Sequence, residues 1–367
     1  MRRVSNTFIA LNRLTYHIID PMVRMATEKE VTMQKEGLSP NPHMPEELAR
    51  KMQNQGYHFV GRHSATKICN YTADSMKKEG HGCYKSRFYG IRSHRCIQAT
   101  PAIGCNLACT FCWRIIPEEE GFKWNEINAI KAWDDPARIV DGLVEEHKRI
   151  ISGYKGNENV DIKKWFESND PAHVALSLTG EPLFYPRMNE LLAEFHRRNI
   201  STFLVTNGTM VNALRNLTVM PTQLYVSIQA PNREIYEKVT RPKTLEAWNN
   251  FQQFLEIFSG LPTRRVFRLT LIRNVNMTDA KGYAELIRQG RPHYVEVKGF
   301  VFVGGARGAE RNLSYGQMPS REEISAFADE IARESGYKVV DYHESSKVAL
   351  LCADDDAARR RVIRFEK

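Results

Sequence analysis

Three cysteines within eight residues, at positions 105 to 112, are the feature that most constrains this chain. Their spacing, C-x3-C-x2-C, lets three sulfurs converge on one centre when a loop wraps around it. Three thiolates on a four-iron cluster leave one iron without a protein ligand, as an open catalytic metal site requires, whereas four ligands close a structural site. The candidate ligands are Cys105, Cys109 and Cys112.

A structural zinc site is the alternative interpretation of this motif. Zinc ligands usually occur as C-x2-C pairs that are followed by a second pair or by histidines. No histidine follows Cys112 at ligand spacing. The spacing therefore favours an iron–sulfur cluster.

Three further cysteines, Cys69, Cys83 and Cys96, are separated by 14 and 13 residues, so they can share a centre only if separate loops bring them together. Buried apolar cysteines are the alternative. Their neighbours are polar, basic and aromatic, unlike a core, and this favours a second metal cluster with thiols kept reduced in a cytosol. The seventh cysteine, Cys352, follows a predicted strand and is expected to be a buried apolar residue.

Length and composition favour one large α/β domain with an extension over several small domains, because 42% of the 367 residues are hydrophobic. No apolar run approaches the roughly 18 to 20 residues of a membrane span. The N-terminus also lacks the apolar core of a signal peptide. We therefore expect a soluble, cytoplasmic protein with no membrane contact. We also expect it to be a monomer.

The net charge of +9 is concentrated near the N-terminus. Residues 1–100 contain sixteen Lys and Arg against eight Asp and Glu, and residues 60–100 contain eight against two. A basic surface beside the cysteines indicates a polyanionic partner such as a nucleic acid. A solvated basic face without a partner is the alternative.

Six predicted strands alternate with helical segments along the middle of the chain. They cover residues 97–103, 173–178, 201–205, 223–229, 265–273 and 293–303. This pattern predicts a parallel sheet with right-handed crossovers. Six units are too few to close an eight-stranded barrel, so we expect an open, partial (β/α)6 barrel with its active site at the carboxyl ends of the strands.

Four regions are expected from this arrangement. They are an N-terminal arm (1–56), an extension with the second cysteine group that faces nucleic acid (57–97), the partial barrel (98–310), and a C-terminal helix, strands and charged tail (311–367).

The first cysteine motif resembles that of the radical S-adenosylmethionine (SAM) enzymes, including the aromatic Phe111 before the last cysteine. A second family motif, Gly180-Glu181-Pro182, follows the next predicted strand. The resemblance implies a TIM-like radical SAM barrel that holds a 4Fe–4S cluster. The iron without a protein ligand would chelate SAM. An electron from the cluster then cleaves SAM to a 5′-deoxyadenosyl radical.

Residues of the cluster loop and of the strand ends contact SAM in that family. The corresponding positions here are Phe111, Trp113, Gly180, Glu181, Thr206, Asn207, Ser227 and Gln229. An ordinary Asn-Gly turn is the alternative for Asn207. The chain departs from the family pattern at Gln229, where an aspartate is often found.

The region around the upstream cysteines narrows the resemblance to the tRNA 4-demethylwyosine synthases of wyosine biosynthesis, in the archaeal-type form without a flavodoxin-like domain. The matching blocks lie at residues 82–90, 93–96, 111–114, 297–304 and 318–320, and the resemblance covers about residues 57–353. It implies two 4Fe–4S clusters, SAM, and a lyase that condenses pyruvate with N1-methylguanosine beside the anticodon of phenylalanine tRNA. The radical would remove hydrogen from the N-methyl group, and a separate flavodoxin or ferredoxin would supply electrons.

Lys85, two residues after Cys83, is the family's candidate for holding pyruvate as a Schiff base, since a lysine of lowered pKa can bind a keto acid in this way. Chelation of pyruvate by the second cluster, or a phosphate contact made by Lys85, are the alternatives. Two other functions remain open: a radical SAM enzyme acting on a peptide or small molecule, and a zinc-stabilised RNA-binding protein.

Overall fold

A computed structural model describes residues 43–123, 130 and 132–364 of the chain. Its strands form one ten-stranded sheet in the order β1-β2-β3-β4-β5-β6-β7-β8-β10-β9. They are β1 (His58–Val60), β2 (Ser64–Thr66), β3 (Cys96–Thr100), β4 (His173–Leu176), β5 (Ser201–Thr206), β6 (Gln223–Ile228), β7 (Arg264–Leu271), β8 (Tyr294–Gly299), β9 (Lys338–His343) and β10 (Val348–Cys352). Most of the N-terminal arm, at residues 1–42, lies outside the described residues, as does the very end of the charged tail.

Twelve α-helices accompany the sheet in the described part of the chain. They are α1 (Glu46–Asn54), α2 (Asn70–Ser75), α3 (Tyr84–Tyr89), α4 (Pro136–Ser152), α5 (Ile162–Ser168), α6 (Met188–Arg197), α7 (Val211–Arg215), α8 (Arg233–Thr240), α9 (Ala247–Phe258), α10 (Ala280–Gly290), α11 (Arg321–Ser335) and α12 (Asp355–Arg359).

Strands β3 to β8 are the six predicted strands, and each pairs in parallel with the next one along the chain. Antiparallel strands flank them, with β2 and β1 beyond β3 and with β10 and β9 beyond β8. The two outer strands β1 and β9 do not pair with each other in the described structure. The prediction of an open, partial (β/α)6 barrel is confirmed, and the flanking hairpin β1–β2 is an addition to it.

The parallel strands have two different faces because successive side chains point to opposite sides. In β8, Val295 and Val297 belong to the apolar core beneath the outer helices. Tyr294 instead belongs to a second buried group inside the barrel. Charged Glu296 and Lys298 share that inward parity, so the polar groups of this strand face the interior.

Helix α4 shows how local sequence fixes an element of the outer layer. The Asp135 carboxylate accepts a hydrogen bond from Ala137 N over 2.9 Å, and Pro136 occupies the first helical position. Ile139 and Leu143 are fully buried against the sheet. The start and the inner face of this helix were both predictable from the sequence.

Residues 67–95, called the cysteine segment below, occupy the opening between the two edges of the sheet. The Tyr71 hydroxyl lies 2.6 Å from Ser346 Oγ, in the turn between β9 and β10. The Arg87 guanidinium donates to Asp341 in β9 over 2.7 Å. Helices α2 and α3 of this segment therefore close the open side of the barrel. Cys69 and Cys83 are the N-cap residues of these two helices.

None of the helices in the described part of the chain has the length and hydrophobicity that a bilayer crossing requires.

Candidate active site

The cluster loop, residues 104–114, follows the carboxyl end of β3 and carries the first cysteine group. The pKa of Cys105 is raised to about 12, mainly by burial and next by the charge of Glu181, with a smaller contribution from Cys112. Burial, followed by the charges of Cys112 and Cys105, likewise raises the pKa of Cys109. The three thiols are therefore close enough to oppose each other's ionisation, a cost that bound iron would offset.

Backbone hydrogen bonds fasten the cluster loop to the end of α8. Ala108 N donates to Thr240 O over 2.9 Å and Thr110 N donates to Val239 O over 2.8 Å. Arg241, just after this helix, donates from Nε to Ala108 O over 2.7 Å. The loop that bears the cysteines is thus held in shape by protein contacts alone.

Ion pairs among Glu119, Arg241 and Arg311, together called the loop clamp below, also support the cluster loop. Arg241 Nη2 lies 2.5 Å from one oxygen of Glu119, and Arg311 Nη2 lies 2.7 Å from the other. Arg311 also donates from Nη1 to Cys112 O and from Nη2 to Arg114 O. The sequence gives no local signal for this clamp because its members lie 70 to 192 residues apart.

Gly180 and Glu181 lie directly against the cluster loop. Gly180 has φ +70°, and a Cβ at this position would stand 2.1 Å from Ala102 O, so only glycine fits. Glu181 N donates to Gly104 O over 2.7 Å. Burial raises the pKa of the Glu181 carboxyl to about 7 although backbone N–H groups and Thr206 oppose the shift.

Asn207 connects Glu181 to the cysteines. Its backbone N–H donates to Glu181 Oε2 over 2.7 Å, and its Nδ2 lies 3.7 Å from Cys105 Sγ. Its Oδ1 accepts from Thr209 N over 3.0 Å, which is the turn contact of the alternative interpretation. Asn207 therefore shapes a turn and also contacts a cluster-loop sulfur.

The other predicted SAM contacts are more scattered. The Phe111 side chain packs against a group around Phe300, whereas Trp113 packs against the group that includes helix α1. Among the described residues, no hydrogen bond joins Ser227 or Gln229 to the cluster loop. The structure therefore brings Gly180, Glu181, Thr206 and Asn207 together at Cys105, whereas the side chains of Phe111 and Trp113 pack into separate apolar groups.

The second cysteine group converges at the cysteine segment. Burial is the largest cause of the raised pKa of Cys69, and the Cys83 charge adds to it. Cys96 has its pKa raised to about 12 by burial, with further contributions from Cys83 and Cys69. The Ser93 hydroxyl donates to Cys83 Sγ over 3.4 Å. Cysteines that are far apart in sequence thus influence one another at one place.

Both groups have the donor chemistry that an iron–sulfur cluster needs. All the described cysteines are free thiols. Within residues 43–123, 130 and 132–364, no three His, Cys, Asp or Glu side chains stand around a position for a single ion. In a four-iron cluster each thiolate binds its own iron. Hydrogen bonds aimed at Cys83 and Cys105 are of the kind that orient cluster ligands.

Lys85 lies inside the barrel beside the second cysteine group, and its side chain is nearly inaccessible to solvent. Its amine lies 5.2 Å from the centre of the Phe203 ring and 4.9 Å from that of Tyr225. Burial is the main cause of its lowered pKa, and the Arg268 charge is the next. Such a lysine has the properties of a nucleophilic amine.

Three charged residues near Lys85 were not singled out from the sequence. Arg268 in β7 donates from Nε to Glu296 in β8 over 2.9 Å, and Glu296 is completely buried. The pKa of Lys298 is lowered to about 8, first by burial and then by Arg268. For Glu296 and Lys298, the available sequence signal was their alternation with apolar residues in β8.

Comparison with known families gives two matches. Residues 100–287 match the radical SAM superfamily, and residues 289–352 match a family described as wyosine base formation. The chain is 43% identical over 341 residues to the SAM-dependent tRNA 4-demethylwyosine synthase of Pyrococcus horikoshii, covering 91% of this chain and 96% of the relative. It is 35% identical to TYW1 of Mus musculus, covering 91% of this chain but 47% of the relative.

Two solved structures have the same fold. One is TYW1 with a lysine–pyruvate adduct bound, at a TM-score of 0.76 and 35% identity, covering 85% of this chain and 97% of that one. The other is an archaeal TYW1, at a TM-score of 0.68 and 32% identity, covering 87% of this chain and 98% of that one.

Proposed function

Because this chain belongs to the radical SAM enzymes and, within them, to the tRNA 4-demethylwyosine synthases, we propose that it condenses pyruvate with N1-methylguanosine beside the anticodon of phenylalanine tRNA. The observation that carries the proposal is the second cysteine group, with a buried lysine beside it, in the same barrel as the first.

The first group, Cys105, Cys109 and Cys112, would hold the 4Fe–4S cluster of the radical SAM family. When bound, this cluster and SAM supply a 5′-deoxyadenosyl radical that removes a hydrogen atom from the N-methyl group of the tRNA base. The protein's own part would be to hold the loop by the clamp and to offer the Glu181 carboxylate to the ammonium group of SAM. Asn207 directs an amide N–H at the Cys105 sulfur.

The second group, Cys69, Cys83 and Cys96, would hold another 4Fe–4S cluster, and Lys85 would hold pyruvate. Formation of the Schiff base needs a neutral amine in a site with little water, and the burial of Lys85 between aromatic rings supports this role. The lysine–pyruvate adduct in the similar TYW1 structure supports it further. Direct binding of pyruvate to the second cluster is compatible with the same placement.

A tRNA surface at the rim of the cluster loop is supported by cations stacked on an aromatic ring. Lys67 Nζ lies 5.4 Å from the centre of the Trp113 ring, and Arg114 Cζ lies 4.8 Å from it. Such a rim is suited to a splayed RNA base and its phosphates.

The basic region 60–100 contributes less to such a surface than its composition suggests. Lys85 and Arg95 are buried, and Arg87 pairs with Asp341. The charge count of this region therefore overstates the positive potential available to a phosphate backbone. We propose further that the enzyme acts as a monomer in the cytoplasm and receives electrons from a separate flavodoxin or ferredoxin.

One experiment tests the proposed reaction. The protein is reconstituted anaerobically with iron and sulfide, reduced, and incubated with SAM, carbon-13-labelled pyruvate and tRNA that carries N1-methylguanosine. Digestion and mass analysis should find 4-demethylwyosine with label from pyruvate, together with about eight irons per chain. About four irons and an unchanged tRNA would favour a radical SAM enzyme acting on a peptide or small molecule, and bound zinc would favour an RNA-binding module.

A further inference from the structure

The barrel interior beside Lys85 holds three basic side chains and one acidic side chain. The basic residues are Lys85, Arg268 and Lys298, and the acidic residue is Glu296. Both oxygens of Glu296 are already engaged, because Tyr89 donates to Oε1 over 2.9 Å and Arg268 donates to Oε2 over 2.9 Å. Glu296 therefore pairs with Arg268 and forms no ion pair with Lys85 or Lys298 in the described structure.

Arg268 shows most clearly where an anion is lacking. Its Nη2 is buried and has no hydrogen-bond partner among the described residues. A buried guanidinium nitrogen without an acceptor is unfavourable, because it has lost water and gained nothing in return. Neither Lys85 nor Lys298 forms an ion pair with any other described residue. An anion that entered here would be bound by otherwise unused donors.

The Arg268 guanidinium, whose Nη2 has no partner, approaches the same aromatic ring as the Lys85 amine, and its charge is the second cause of the lowered Lys85 pKa. Arg268 Cζ lies 4.5 Å from the centre of the Tyr225 ring, and Lys85 Nζ lies 4.9 Å from the same centre. The Tyr84 ring similarly lies near both Arg268 Cζ, at 5.9 Å, and Lys298 Nζ, at 5.3 Å. The two tyrosine rings therefore contact all three basic side chains.

We propose that Arg268 is the carboxylate receptor of the keto-acid site, binding through Nη2 with Lys298 as a neighbouring second cation. The inference rests on the proposed function, in which Lys85 forms the Schiff base. In a 2-keto acid the carboxylate is attached to the carbon that the amine attacks, so its receptor must lie beside that amine. Arg268 meets this condition and would make the site select keto acids over neutral carbonyl compounds.

The covalent step is balanced without any further reactant. The neutral Lys85 amine attacks the keto carbon, a carbon–nitrogen double bond replaces the carbon–oxygen double bond, and the carbonyl oxygen leaves as water with the two hydrogens of the amine. The carboxylate keeps its negative charge throughout, so Arg268 binds it equally before and after the imine forms. Arg268 is therefore a binding and specificity residue and does not transfer a proton.

Reductive trapping measures this selectivity. Full-length reconstituted protein is incubated with cyanoborohydride and either pyruvate or pyruvamide, its neutral amide, and the adduct on Lys85 is quantified by mass spectrometry. Wild-type protein should require less pyruvate than pyruvamide for half-maximal trapping. Arg268→Met should raise the half-maximal pyruvate concentration about tenfold to a hundredfold and leave that for pyruvamide nearly unchanged.

Two further variants separate binding from folding. Arg268→Met leaves the buried Glu296 without its cation, so Arg268→Met/Glu296→Gln removes both charges and should show the same loss of selectivity. Arg264→Met changes another arginine of β7, one whose side chain is engaged with Gln223 and the Arg360 carbonyl. This matched control should keep the preference for pyruvate.

The outcomes distinguish the two proposals. If wild-type protein traps pyruvate but Arg268→Met and the double variant keep the wild-type preference, the carboxylate receptor is wrong while the Schiff base stands. If Arg264→Met loses the preference equally, the effect is general to the strand and the assignment of Arg268 is also wrong. If wild-type protein forms no adduct on Lys85, the Schiff base fails and the receptor role fails with it.

Discussion

Arg311 and Glu119, 192 residues apart in sequence, meet through two hydrogen bonds of 2.9 and 2.7 Å beneath the cluster loop. The Arg311 side chain is 1% exposed and that of Glu119 is 13% exposed. The same guanidinium donates to the carbonyl of Cys112. The position of a cysteine in the loop thus depends on an acidic residue outside it.

Glu119→Gln should destabilise the protein and loosen the cluster loop. The substitution leaves Arg311 and Arg241 without their shared carboxylate, and breaking a buried ion pair costs about 3 kcal/mol or more. Denaturant unfolding of the apoprotein should show this loss, and the reconstituted variant should lose iron faster in air. Glu120→Gln is the matched control, since the exposed pair of Glu120 with Lys51 contributes about 1 kcal/mol or less. Equal stability of the two variants would contradict the role of the clamp.

Asn207→Asp should lower the reduction potential of the first cluster. The change replaces an N–H donor 3.7 Å from Cys105 Sγ with a negative charge, and both effects disfavour the added electron. A redox titration followed by electron paramagnetic resonance measures the shift. Asn212→Asp, on the exposed side of α7, adds the same charge away from the loop and should leave the potential unchanged.

SAM binding should depend on the ionisation of Glu181. Burial raises its pKa to about 7, so the carboxyl is mostly protonated at pH 6 and mostly ionised at pH 8. An ammonium group prefers the carboxylate, so the affinity for SAM should rise about tenfold between these values. Anaerobic binding titrations on reconstituted protein test this, and Glu181→Gln should remove the rise. A wild-type affinity that falls with pH would contradict it.

The raised pKa of Glu181 has the opposite consequence for the stability of the apoprotein, which should fall as the pH rises. Because the pKa of Glu181 is higher in the folded than in the unfolded chain, its protonation favours the folded state at low pH. This contribution is lost as the pH rises from about 4.5 to about 7. Comparison of the unfolding of wild-type and Glu181→Gln apoprotein across this range isolates it from the other titrating groups.

Lys85→Ala should abolish the pyruvate adduct and nearly all product formation, since covalent activation of the keto acid is lost. Both clusters should remain, because the cysteines are untouched. Lys78→Ala, an exposed lysine of the same cysteine segment, is the control and should retain activity. Product formation at the normal rate in Lys85→Ala would rule out the Schiff base.

Binding to tRNA should weaken by orders of magnitude between about 50 and 200 mM salt, because phosphate contacts release counterions. Lys67→Ala should reduce the slope of this dependence by about one. Lys148→Ala, on the exposed face of α4, is the control and should leave the slope unchanged. Fluorescence anisotropy measures both, and an affinity that does not change with salt would contradict an electrostatic surface.

Much of the fold was predictable because the signals are local. The six parallel strands end within a few residues of their predicted limits, and Asp135-Pro136 marks the start of α4 as capping rules require. The cluster loop and Gly180 were recognisable because each belongs to a short motif whose residues are close together in sequence. The hairpin β1–β2 was not found, since strands of three residues are too short to show a period.

The interior charges could not be assigned from the sequence because their partners lie on other strands. Glu296 and Lys298 alternate with buried valines in β8, a pattern equally typical of a strand with one face in water. Pairing with Arg268, 28 residues away from Glu296, places them inside the barrel instead. Composition similarly counted Lys85 and Arg95 as surface charges, although the fold buries both.

The cysteine segment leaves the ribosome long before the elements that cover it. Tyr71 meets Ser346 across 275 residues of chain, and Arg87 meets Asp341 across 254. The side of the barrel next to Cys69 and Cys83 therefore stays uncovered until nearly all of the polypeptide has been translated. The thiols of Cys69 and Cys83 can therefore be reached from this side for as long as the β9–β10 hairpin has not docked.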